Sequence, residues 1–182
     1  MKKRSGTTLI EIVISMSIFV VAFMVISSLF IYHTKLFSLQ ESTGSLKLQK
    51  ALFSKRFRES AEPAKAIAPS ITLNGSPYIS SSSTIIFQIP AINESDEIIT
   101  GIYDYIVIYR ENTDLFIETD ADSLSQRKDI KQKIANTATN LIFRYDTDSP
   151  TDASFVSGYL KMEGNNASDE IMISAYLRNK TR

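Results

Sequence analysis

The sequence has no cysteine and no tryptophan, one histidine, 5 prolines and 6 glycines. Without cysteine there is no disulfide, no thiolate zinc site and no cysteine nucleophile. His33 is the sole imidazole, which removes histidine-dependent hydrolase triads and histidine-rich metal sites. An enzyme is therefore not expected, and neither is a cofactor. The low proline and glycine content argues against a disordered or fibrous chain. Charge of one sign is also missing: 20 Lys+Arg stand against 20 Asp+Glu, so no net field marks a nucleic-acid partner, and none is expected. At 182 residues the chain has room for one modest domain plus an anchor, and too little for two full cores.

What is present is one long apolar run. Ile12 to Ile31 reads IVISMSIFVVAFMVISSLFI, without a formal charge. As a helix it would span a hydrocarbon core of about 30 Å. Its serines, Ser15, Ser17, Ser27 and Ser28, can bond back to the helix and cost little in lipid. Lys2, Lys3 and Arg4 precede the run, which predicts a cytoplasmic N-terminus and export of the chain after Tyr32. A cleaved secretory signal would be shorter and end in a small-residue motif. Here the small residue, Gly6, lies on the other side, between the basic cluster and the apolar run. The span is expected to be retained.

Glu11 is the second unusual feature, because a carboxylate at the edge of an apolar span needs a partner. Thr8-Leu9-Ile10-Glu11 has the T-x-x-E form of a capping box, in which Glu11 accepts from an N-cap amide, and the helix dipole favours an acid there. Pairing with a cation from another subunit is the other reading. The two are compatible.

Together these residues, KKRSG-TTLIE followed by an apolar helix, resemble the prepilin signal of type IV pilins and of the pseudopilins of type II secretion. The resemblance covers about residues 1–35. It implies cleavage after Gly6 by a prepilin peptidase on the cytoplasmic side. It also implies N-methylation of the new terminal residue, Thr7, where the family usually has Phe or Met. Glu11, fifth after the cut, is implied to pair with the terminal amine of a neighbouring subunit during assembly. The implied partners are other pilin or pseudopilin subunits, the peptidase and the membrane. The implied location is the inner membrane, single-pass, with the C-terminal domain periplasmic or extracellular and the subunit incorporated into a filament. Cleavage would remove three positive charges and leave a mildly acidic subunit.

From Thr34 to Ser60 the sequence stays compatible with helix, with Leu36, Phe37, Leu46, Ala51, Leu52, Phe53 and Phe57 as a ragged apolar stripe. Gly44 is an internal weak point. Lys47, Lys50, Lys55, Arg56 and Arg58 read as a solvated basic face. Pro63, Pro69, Asn74-Gly75, Pro77 and the serine run Ser80 to Ser83 read as loop and flexible linker. Strands are expected at Thr84–Ile89 (closed by Pro90), Tyr103–Tyr109, Leu115–Thr119, Leu141–Tyr145, Phe155–Met162 and Glu170–Leu177. Ile130–Ala135 is open between helix and strand. The fold class is thus α+β: a long N-terminal helix, its first half membrane-spanning, packed on a C-terminal antiparallel sheet. The expected segments are leader 1–6, assembly helix 7–33, helix continuation 34–62, loop region 63–83 and β-rich domain 84–182. The strands YDYIVIYR, TATNLIFRYD and AYLRNK also resemble those of J-type minor pseudopilins.

Two acidic clusters could take a hard cation: Glu118, Asp120 and Asp122, and the calcium-loop-like Asp146, Asp148 and Asp152. Pro150 replaces a ligand position in the second and its turn glycine is missing. Solvated turns are the default, and no metal is assigned. Tyr103, Tyr105 and Tyr109 alternate as sheet residues do, so packing is favoured over base stacking. The functional expectation is a structural minor pilin or pseudopilin, with a signal-anchored exported binding module as the alternative.

Overall fold

The computed structural model describes residues 8–164 and 167–178. Gly6 and Thr7 lie outside the described residues. The chain divides into two compact units, Met1–Glu41 and Ser42–Arg182. A single helix, α1 (Leu9–Ala61), runs through Gly44 without interruption.

In the first unit the described residues are all helix after Thr8, and no side chain there is fully buried. The helix is long and apolar enough to cross a membrane, with a mean hydropathy of 2.7 over 18 residues. Two of its four serines bond back to the helix as expected: Ser17 donates to Val13 O at 2.9 Å and Ser28 to Met24 O at 2.6 Å. Such bonds leave no hydroxyl proton without an acceptor where water is absent.

The second unit is α+β. Leu46, Gln49, Phe53, Phe57 and Ser60 are buried at spacings of three and four, so this part of α1 turns one face inward. Ala51 and Lys55, between them, remain exposed. Among the described residues ten strands follow: β1 (Ala66–Ile67), β2 (Ser70–Leu73), β3 (Ser76–Ile79), β4 (Thr84–Ile92), β5 (Ile98–Glu111), β6 (Asp114–Asp120), β7 (Ile130–Ala135), β8 (Ala138–Tyr145), β9 (Phe155–Glu163) and β10 (Ser168–Tyr176). All paired strands are antiparallel. They form a five-stranded sheet β1-β4-β5-β6-β7, a three-stranded sheet β10-β9-β8 and a β2-β3 ribbon.

Both larger sheets pack on the helix. Phe57 lies 5.8 Å, ring centre to ring centre, from Phe87 of the first and 6.2 Å from Phe143 of the second. A glycine makes the second approach possible: a Cβ on Gly158 of β9 would fall 3.1 Å from Phe57 and 3.2 Å from Phe53. Gln49 fixes the helix to the β7–β8 turn. Its side-chain oxygen accepts from Asn136 N–H (3.0 Å) and Thr137 hydroxyl (3.1 Å). The far face of the five-stranded sheet carries a second apolar cluster, Ile86, Val107 and Tyr109, covered by Ala68 and Leu73.

Three expectations change. Residues 63–83 contain β1, β2 and β3 where loop was expected. Asn74 and Gly75, with φ of 48° and 81°, form the two-residue turn of the β2-β3 hairpin, a conformation this dipeptide suits. The serine run is a bound turn: Ser82 O accepts from Phe143 N–H at 2.7 Å and Ser80 hydroxyl donates to Ala68 O at 2.6 Å. Pro90 does not close β4, because the register shift between Pro90 and Ile92 accommodates it. Ile130–Ala135 is strand.

Gly158→Val is expected to destabilise the protein by about 1–3 kcal/mol, because buried Phe53 and Phe57 cannot both retreat. Denaturant unfolding checks this, with Gly158→Ala falling between Val and wild type.

Candidate functional site

The first site candidate is the start of α1. Thr8 is the N-cap: its carbonyl accepts from Glu11 N–H (3.1 Å) and Ile12 N–H (3.3 Å). Glu11 Oε2 in turn accepts the Thr8 N–H at 2.8 Å. This is the reach-back half of the capping box, satisfying an amide that helix geometry leaves without an intrahelical partner. Glu11 remains solvent-exposed. One carboxylate offers about four acceptor positions, so a single N–H does not saturate it. Around it Leu9, Ile10, Ile12 and Val13 are all exposed apolar residues.

The second region is the far face of the five-stranded sheet. The β-strand period of two sets Phe116, Glu118 and Asp120 on that face, with Ile117 on the helix side. Glu118 is buried and fully engaged. It accepts from Tyr109 hydroxyl and Asn74 side-chain N–H, both at 3.1 Å, and Lys131 lies 3.7 Å away. The Lys131 ammonium also sits 4.9 Å from the Phe116 ring centre. Burial pushes the Tyr78 hydroxyl up to about 12, with help from its bond to Tyr109. Asn74, Glu118, Asp120, Asp129 and Lys131 border a cavity of ≈ 240 Å³.

Among the described residues no cation is paired with Asp120 as Lys131 is with Glu118. Burial raises its carboxyl above the usual range, and Asp129, Asp104, Glu118 and Asp122 add like-charge repulsion. The three acids of this candidate cluster are differently engaged. Glu118 is committed to the sheet, and Asp122 caps its own turn through Leu124 N–H at 2.9 Å. Asp146 likewise accepts Ser154 N–H at 2.9 Å, and Asp152 lies in a short 3₁₀ turn, Pro150–Asp152. Among the described residues no three acidic or histidine side chains are grouped to hold a metal ion.

One charged pair is not visible in the sequence. Asp104 is wholly buried in β5 and meets Arg127 at 2.6 Å. Its carboxylate also accepts Asp122 N–H and the Ser125 hydroxyl, so it anchors the 121–129 loop. The signal available is an acid inside an apolar strand, a position that requires burial with a partner.

No family model, curated protein or solved structure matches the chain.

Because the folded pKa of Asp120 is raised, the native state holds its proton more tightly than the unfolded chain. Its contribution is most favourable in acid and is lost as pH rises through the folded pKa. Asp120→Asn is expected to raise the urea midpoint at pH 7. The gain should vanish below about pH 3.9, the ordinary carboxyl value. Unfolding curves at the two pH values check both arms.

Proposed function

We propose that this chain is a type IV pilin-like subunit, a minor pilin or pseudopilin of a type IV pilus or type II secretion pseudopilus. It is processed after Gly6 and held in the inner membrane by α1 with its N-terminus cytoplasmic. From there it assembles with other subunits through the same helix.

The observation that carries this reading is the make-up of α1. One unbroken helix combines an apolar stretch with no buried side chain and a later stretch that forms the domain core. An anchor needs only the first property. A filament spine requires both properties in one helix. Glu11 supports the reading further, since its intrahelical bond to Thr8 leaves acceptor capacity for an amine. In lipid that capacity is unsatisfied, and a neighbouring subunit's amine at Thr7 relieves it. The driving force is the cost of keeping a carboxylate in hydrocarbon without a cation. Lys2, Lys3 and Arg4 set the orientation before cleavage.

The test is Glu11→Ala in the native host. The variant is expected to insert in the membrane at wild-type levels. Its amount in the sheared filament or pseudopilus fraction should fall about tenfold or more, as breaking a buried ion pair costs about 3–5 kcal/mol. Undiminished incorporation would leave Glu11 as a helix cap alone. Monomeric protein with an uncut leader would favour an anchored binding module.

A further inference from the structure

The tip of the β2-β3 ribbon sets the Asn74-Gly75 dipeptide against the buried carboxylate of Glu118. Asn74 and Gly75 are both exposed, and with φ of 48° and 81° they make the tight turn between Leu73 and Ser76. Glycine has no Cβ, so it leaves its own amide nitrogen unshielded. A Cβ added at Gly75 would meet no atom within 4 Å, so the surroundings leave room as well. No described group accepts from the Gly75 N–H. Asn74 Nδ2–H donates to Glu118 at 3.1 Å, the restraint that holds the neighbouring amide. Asn74 also borders the cavity of ≈ 240 Å³, so water reaches this group.

We propose that Asn74 is a site of covalent self-modification, deamidation with water as the co-reactant, and that the product loosens the β2-β3 ribbon from the five-stranded sheet. The Gly75 nitrogen attacks Asn74 Cγ. A C–N bond forms, the Cγ–Nδ2 bond breaks, and ammonia leaves with the proton that Gly75 gives up. Water then opens the cyclic imide at either carbonyl, leaving aspartate or isoaspartate in place of Asn74.

The Asn74 amide donates to Glu118, whereas an ionised carboxylate in its place can only accept. Two acids then share a hydrogen-bond distance beside a buried position, which disfavours the charge on both. The groups that face them are Asp120 of β6, Asp129, Lys131 of β7, Tyr109 of β5 and Tyr78 of β3. Lys131 is the cation in this set, and it is already engaged with Glu118 at 3.7 Å. The ribbon is the element placed to yield. It has four residues a side and forms a sheet of its own, outside the ladders of the two larger sheets. Isoaspartate disturbs it further by adding a backbone atom to a turn that fits two residues. Nothing in this chemistry depends on whether the chain is processed as a pilin.

Asn112 is the internal control. It is exposed, has φ of 56° and starts the tight turn between Glu111 and Asp114, but Thr113 follows it. Full-length protein in neutral-detergent micelles is aged in mildly alkaline heavy-oxygen water, digested and read by peptide mass spectrometry. Asn74 is expected to take up labelled oxygen at least about tenfold faster than Asn112, a barrier lower by about 1.4 kcal/mol. The label should appear in both aspartate and isoaspartate. Thr113→Gly is expected to bring Asn112 up to the rate of Asn74. Asn74→Asp, made directly, is expected to lower the urea midpoint at pH 7 and to speed amide hydrogen exchange in β2 and β3. The midpoint difference should vanish below about pH 3.9, where the added carboxyl is protonated and donates again. Labelling of Asn74 no faster than that of Asn112 would overturn the site, and so would label in aspartate alone, since attack by Gly75 gives both products. An Asn74→Asp protein with wild-type midpoint and wild-type exchange at pH 7 would overturn the loosening.

Discussion

The constraint on which the rest depends is that α1 carries two kinds of surface, apolar all round in its first half and one-sided in its second. Phe19, Phe23, Phe30 and their aliphatic neighbours are exposed around the whole helix. Leaving each such side chain in water forgoes about 1.5–3 kcal/mol. No face of this stretch is polar enough to be the wet one, and the helix is long and apolar enough to cross a membrane. From Leu46 onward the same helix becomes one-sided, with Lys47, Lys55 and Arg58 outward and Phe53 and Phe57 inward.

The domain is organised to receive that second half. Phe57 is the common contact of the two sheets, and Gly158 is the position where β9 gives up a side chain to let the ring in. Gln49 adds direction to this apolar packing, because buried amide groups bond only when the helix sits in one register against the β7–β8 turn. The domain is therefore fixed to the helix by shape at Phe57 and by hydrogen bonds at Gln49.

Much of this is legible in the residues, for identifiable reasons. The apolar run and the T-x-x-E cap are local signals, and helix and cap follow them. Strands β4 to β6 and β8 to β10 are readable from aromatic and β-branched alternation. The β2-β3 hairpin is hidden while Asn74-Gly75 reads as loop punctuation, although the same dipeptide is a strong turn signal between strands. Lys131 and Lys133 alternate in β7, yet flanked by polar residues the segment has no decisive period. The acidic residues are the least legible. Glu118 looks in sequence like a cation ligand and in the fold is a buried partner of Tyr109, Asn74 and Lys131. Asp104 and Arg127 are 23 positions apart, and only the fold brings them together.

The central proposal is that cleavage after Gly6 leaves the apolar helix in the mature chain. Intact-mass measurement of the protein from its native membrane, in cells with active prepilin peptidase, tests it most directly. The account expects a mass lacking Met1–Gly6, with the addition of a methyl group at Thr7. A mass that retains Met1–Gly6 would contradict it.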